Sequence, residues 1–193
     1  MSRAKQRQWP EKARLNHLWA VAILSALITA AVCGAADAGR RLSEYQVKAS
    51  YLYNFTKFIE WPPQNSDDSQ VFSIVVMGKN PFGEDLKPLT DRLVYNRKVL
   101  IRYIRNIEAL QECDLLFISA DETDNIIDIL TVLNRRQGIL TVSDVRNFAQ
   151  KGGIIGFVNK EGRIRFQINK RVARQANLAI SSELLKLALM VLE

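Results

Sequence analysis

The sequence predicts an α/β fold: a single three-layer domain with a mainly parallel sheet, a C-terminal antiparallel hairpin and helices on both faces. Three observations predict it. Short apolar, β-branched runs alternate four times with helical patterns. Two alternating segments then flank Lys160-Glu161-Gly162, a turn with glycine last. No repeat, low-complexity tract or long linker divides the chain.

The elements follow in order. Ser43 and Gln46 have capping-box spacing and open a helix. Val47, Tyr51, Leu52, Phe55, Phe58 and Ile59 recur at helical intervals, and Trp61-Pro62-Pro63 is expected to end it. Gln64–Gln70 is a polar loop, and Val71–Met77 a buried strand. Asn80-Pro81 has the form of a cap and first helical proline, with a short helix expected over Phe82–Leu89. Lys98–Ile104 is the second strand, Ile107–Leu110 a helical turn and Leu115–Ser119 the third strand. Asp121–Arg136 is amphipathic, with Ile126, Ile127, Leu130 and Leu133 sharing a face and Gly138 stopping it. Ile139–Val142 is the fourth strand, and Asp144 is positioned to cap a short helix through Gln150. The hairpin spans Ile154–Asn159 and Arg163–Asn169. Helices over Arg171–Asn177 and Ser181–Leu192 close the chain.

The first 38 residues read as a secretory signal peptide. Arg3, Lys5, Arg7, Lys12 and Arg14 precede an uncharged run over Leu18–Val32, and Ala36-Asp37-Ala38 is a small-x-small cleavage signature. An uncleaved anchor over Leu18–Ala36, or lipidation at Cys33, are the alternatives. Cleavage after Ala38 leaves residues 39–193 as one domain and lowers the net charge from +7 to +4. It also removes His17, the chain's one histidine. No imidazole remains for a Ser-His-Asp site or a His/Cys zinc site, and no P-loop or dinucleotide fingerprint occurs. No catalytic residue, metal site or cofactor is therefore expected. Basic residues form no stripe with interleaved aromatics, so nucleic acid is not an expected partner.

Cys113 remains as the single mature cysteine, which excludes an intramolecular disulfide. It reads as a small buried hydrophobe at the entry to a strand, with a redox role or intermolecular bridge as the alternative. Asp121, Glu122 and Asp124 could serve acid–base chemistry, but acids at a helix start also cap its amides. Glu84-Asp85 has the same ambiguity. Partner docking is the sharper possibility. On the second hairpin strand Ile164, Phe166 and Ile168 alternate with Arg163, Arg165, Gln167 and Asn169. The polar set, with Phe157 on the facing strand, would suit a contact at a sheet edge. The alternative is a solvated face with Phe157 in the core. Tyr45, Tyr51, Tyr53, Phe55, Phe58 and Trp61 crowd the first helix and divide between core and a second contact.

Two stretches carry a resemblance. Lys48-Ala49-Ser50-Tyr51-Leu52-Tyr53-Asn54-Phe55-Thr56-Lys57-Phe58-Ile59-Glu60-Trp61-Pro62 resembles the opening signature of the YfiR-like family. Gly152–Val158, Arg163–Asn169 and Ala179–Ala188 resemble its closing signature, with Gly78–Gly83 and Leu140–Asp144 between. The resemblance implies a periplasmic α/β protein, often a homodimer, without catalysis. It implies repression of a membrane-bound diguanylate cyclase through the periplasmic portion of that inner-membrane partner, and so control of cyclic di-GMP and biofilm. Family members that respond to redox state do so through paired cysteines, and this sequence departs there. A solute-binding accessory protein of a sensor kinase or outer-membrane uptake system is the other reading, with its ligand at the carboxyl ends of the strands.

Overall fold

A computed structural model describes residues 42–62 and 71–193. The expected signal peptide, Cys33, His17 and the loop over Gln64–Gln70 lie outside the described residues. Helix α1 spans Glu44–Phe55. Its capping box is reciprocal: Ser43 Oγ accepts from the Gln46 amide at 3.1 Å, and the Ser43 amide donates to Gln46 Oε1 at 3.0 Å. Strands β1 (Ile59–Glu60), β2 (Val71–Met77), β3 (Leu93–Val94), β4 (Arg97–Ile104) and β5 (Leu115–Ile118) follow. Helix α2 covers Ile126–Leu133, and then come β6 (Leu140–Ser143), β7 (Ile155–Lys160) and β8 (Arg163–Asn169). The chain closes with α3 (Lys170–Gln175), β9 (Ala179–Ile180), α4 (Ser182–Leu187) and β10 (Met190–Leu192).

The main sheet has eight strands in the order β10-β8-β7-β6-β5-β2-β4-β3. β4, β2, β5, β6 and β7 run parallel, β10 runs parallel to β8, and the β3–β4 and β7–β8 pairs are antiparallel. Strand alternation divides the core into two layers. Ile74, Val76, Leu115, Phe117, Leu140 and Val142 face α1, α3 and α4. Val75, Met77, Leu116 and Ile118 face α2. The three-layer α/β expectation is met.

Several elements depart from their expected form. α1 stops at Phe55, and Ile59–Glu60 instead pairs antiparallel with Ala179–Ile180. Thr56 explains the early stop, because its hydroxyl turns back to the Tyr53 carbonyl at 2.7 Å. Pro62 forbids further helix yet permits a strand before it. The segment Asp144–Gln150 forms turns, not a capped helix. Asn147 has a φ of 59°, which helix cannot continue through, and Ser143 Oγ takes the Val145 amide at 2.9 Å. Helix over Phe82–Leu89 reduces to one 3-10 turn at Lys87–Leu89. α2 is shorter than expected, and its buried stripe is Ile126, Ile129, Leu130 and Leu133, leaving Ile127 53% exposed. The hairpin turn is two residues, with Glu161 at φ 55° and Gly162 at φ 74°, the left-handed pair that matches strand twist. The last expected helix ends at Leu187, and Met190–Leu192 becomes a strand against Gln167–Asn169.

Candidate functional site

The hairpin and α1 enclose the surface that the sequence pointed to. Register pairs Phe157 with Phe166, and both lie in the core layer under α1. Phe157 is 5% exposed, stacked on Phe55 at 5.9 Å between ring centroids. Its expected place at a contact surface is therefore corrected: pairing opposite Phe166 turns it inward. Alternation turns Arg163, Arg165 and Gln167 to the opposite face. Arg163 and Arg165 are exposed, and Gln167 is half-buried, accepting from Gln150 Nε2 at 3.0 Å. Asn169 is withdrawn from that face. Its Oδ1 caps α3 through the Val172 amide at 3.0 Å, and its Nδ2 donates to the Ala149 carbonyl at 2.8 Å.

β8 is not the sheet's last strand, which corrects the expected edge. β10 lies outside it, but only along Gln167–Asn169. Among the described residues no strand flanks the outer side of Arg163–Arg165. A groove of about 480 Å³ runs there between hairpin and α1, with Leu42, Val47, Tyr51 and Ile164 beside the two arginines. Of the six aromatics of Tyr45–Trp61, Phe55 is buried in the core layer and the other five are half-buried against it, with Tyr51 also lining the groove.

Sequence patterning does not single out Lys48 and Asp144, which meet 96 residues apart. Lys48 is 3% exposed, and its Nζ lies 2.7 Å from Asp144 Oδ2 and 2.6 Å from Glu44 Oε1. Tyr45 donates its hydroxyl to the same Asp144 oxygen at 2.9 Å. The available signal was a lysine one turn before Leu52, on the buried stripe of an amphipathic helix. Burial alone would push the Lys48 amine down, but the hydrogen bonds to Asp144 and Glu44 outweigh it and the net shift is up. The amine is thus held as a cation. The cluster lies just past the carboxyl end of β6, where a solute ligand was expected. There Glu44 and Lys48 of α1 line, with Asp144 and Phe157, a small cavity of about 160 Å³.

The other candidate groups are also held structurally. Asp121 Oδ2 accepts the Lys79 amide at 2.9 Å. Burial pushes its carboxyl up, the Ser119 hydroxyl and the Lys79 amide pull it down, and the net shift is down. Glu122 accepts from Asn125 Nδ2 at 3.2 Å, Ser43 Oγ donates to Asp85 at 3.3 Å, and Glu84 pairs loosely with Lys87 at 3.5 Å. Burial, then the neighbouring Asp114 carboxylate, pushes the Cys113 thiol far up and disfavours the thiolate. Asp114 is 2% exposed, accepts the Ser73 amide at 2.7 Å and holds Arg97 in a two-point pair at 2.9 Å each. Among the described residues no three His, Cys, Asp or Glu gather as a metal site, and no helix is long and apolar enough to cross a membrane.

The model of a family described as YfiR/HmsC-like matches residues 45–189. A crystal structure of a conserved domain protein from Vibrio cholerae O1 biovar El Tor is similar with a TM-score of 0.52 and 14% identity. The match covers 78% of this chain and 60% of that one, so the chain spans less than two thirds of that neighbour, and the likeness is one of fold. No curated protein matches the sequence.

Proposed function

The chain belongs to the YfiR/HmsC-like family, and on that premise we propose that it is a periplasmic regulatory binding protein that represses a membrane-bound diguanylate cyclase. It binds the periplasmic portion of that inner-membrane enzyme and acts as a homodimer, with cyclic di-GMP and biofilm as its outputs. Repression requires higher affinity for the inactive conformer than for the active one. A shift from 1:99 to 99:1 needs a preference of about 10⁴-fold, about 5.5 kcal/mol.

The observation that carries the docking site is the exposure of Arg163 and Arg165 beside an unflanked stretch of β8. Arginine is enriched among residues that anchor interfaces. Gln167 extends the same face, and Phe157 holds the hairpin rigid from beneath. The two-residue turn and the packing of the hairpin's inner face against α1 hold the backbone that carries the arginine pair, which favours partner selection over loose attachment.

Deletion of the gene is expected to raise cyclic di-GMP and biofilm, and restored wild-type protein to lower them. Arg165→Glu, secreted at the wild-type level, should fail to restore repression and should weaken pull-down of the cyclase by about thirtyfold, the effect of a hot-spot arginine. Unchanged cyclic di-GMP in the deletion strain would overturn the function. Full repression by Arg165→Glu would overturn the docking site alone.

A further inference from the structure

The sheet has a longer open edge at the opposite end of its strand order. β3 covers only Arg97 and Lys98 of β4. Beyond them, among the described residues, no strand pairs with the outer side of Val99–Ile104. The Val99 amide donates to the Arg92 carbonyl at 3.3 Å, so Val99 directs its peptide groups away from β2. Alternation along the strand directs those of Ile101 and Tyr103 the same way. Two features set this edge apart. Leu93, Tyr95, Leu100 and Tyr103 are 55%, 57%, 43% and 51% exposed, an apolar group at one sheet end. From Arg92 to Asn106 the chain carries five basic residues and no acid. Arg97 is matched by Asp114, whereas Lys98 and Arg105 stand exposed.

We propose that the β4 edge receives an extended acidic segment of a partner protein as an added strand. The segment alternates apolar and acidic residues. Its apolar set lies beside Ile101 and Tyr103, and its carboxylates reach the exposed Lys98 and Arg105 that bracket the open stretch. A second copy of this chain is the less suitable occupant, since it would set the exposed Arg92, Lys98 and Arg105 against themselves. Basic residues on an edge also serve to repel stray strands. The exposed Leu100 and Tyr103 among them are unsuited to that duty alone. This edge goes beyond the Arg163–Gln167 surface, and neither stands or falls with the other.

The test is fluorescence anisotropy of a labelled peptide, Gly-Glu-Val-Asp-Ile-Glu-Val-Asp-Gly, titrated with the purified protein. Saturable binding is expected, with no binding of the peptide carrying lysine at every acidic position. Tyr103→Pro removes one outward amide where an edge strand tolerates proline, and should weaken binding at least about tenfold with an unchanged circular dichroism spectrum. The pair Lys98→Glu and Arg105→Glu should weaken it by a similar factor, and it decides the question if Tyr103→Pro fails to fold. Absence of saturable binding at about 1 mM overturns the proposal and leaves the charges as an edge guard. Equal binding by a folded Tyr103→Pro protein, or by the charge pair, also overturns it. So does light scattering that finds a wild-type dimer converted to monomer by these changes, because the edge would then belong to a second copy.

Discussion

Lys48 joins two distant stretches by a single amine. Removing one member of a buried ion pair leaves the other charge uncompensated, at a cost of about 3–5 kcal/mol. Lys48→Met strands Asp144 with only Tyr45 as a side-chain donor. It is therefore expected to lower stability by about 3 kcal/mol in urea titration followed by circular dichroism. The pH dependence has a definite sign. The folded-state pKa of Lys48 is raised above its ordinary value, so its contribution is complete at neutral pH and fades as pH rises through the folded value. In Lys48→Met that alkaline loss should disappear from the stability profile. Cys113 stands at the other extreme. Its half-buried thiol has a raised pKa, which favours the protonated form at neutral pH.

Glycine shows how closely neighbouring elements approach. A Cβ at Gly153 would fall within the ring of Phe148, which is packed between the sheet and α2. Gly153→Ala should therefore cost about 3 kcal/mol through overpacking, read as a lower urea midpoint, and Phe148→Leu should recover part of it. Elements whose signal is local were legible in the sequence. The capping box at Ser43, the continuous apolar run of β2 and the hairpin alternation all stand where residue chemistry puts them. Elements that depend on a distant partner were not legible. Ile59–Glu60 and Ala179–Ile180 are strands only because they meet, and two residues leave no periodicity to read. Met190–Leu192 fits a helix pattern equally well until β8 offers its edge. The docking face was half legible. Alternation separated Arg163, Arg165 and Gln167 from the apolar set, but which face Phe157 joined was settled by strand register. Lys48 was missed because a basic residue on an amphipathic helix is ordinarily assigned to the wet side.

For the molecule as a whole, the sheet presents different chemistry at its two ends. One carries an arginine pair over a braced hairpin, the other a basic edge with apolar side chains exposed. Both ends are held to one core by contacts that span much of the chain. Such non-local topology folds slowly, and refolding from urea is expected on a timescale of about milliseconds to seconds, measured by stopped-flow tryptophan fluorescence. The joining of α1 to Asp144 and Ile164 has a consequence for the order of events during synthesis. α1 is among the first described elements to be made, yet two of its hydrogen-bond partners, Asp144 and the Ile164 carbonyl, emerge 96 and 113 residues later. Through that interval Phe55 lacks Phe157 and Phe166, the hairpin rings it packs against, and a holding chaperone has a defined target.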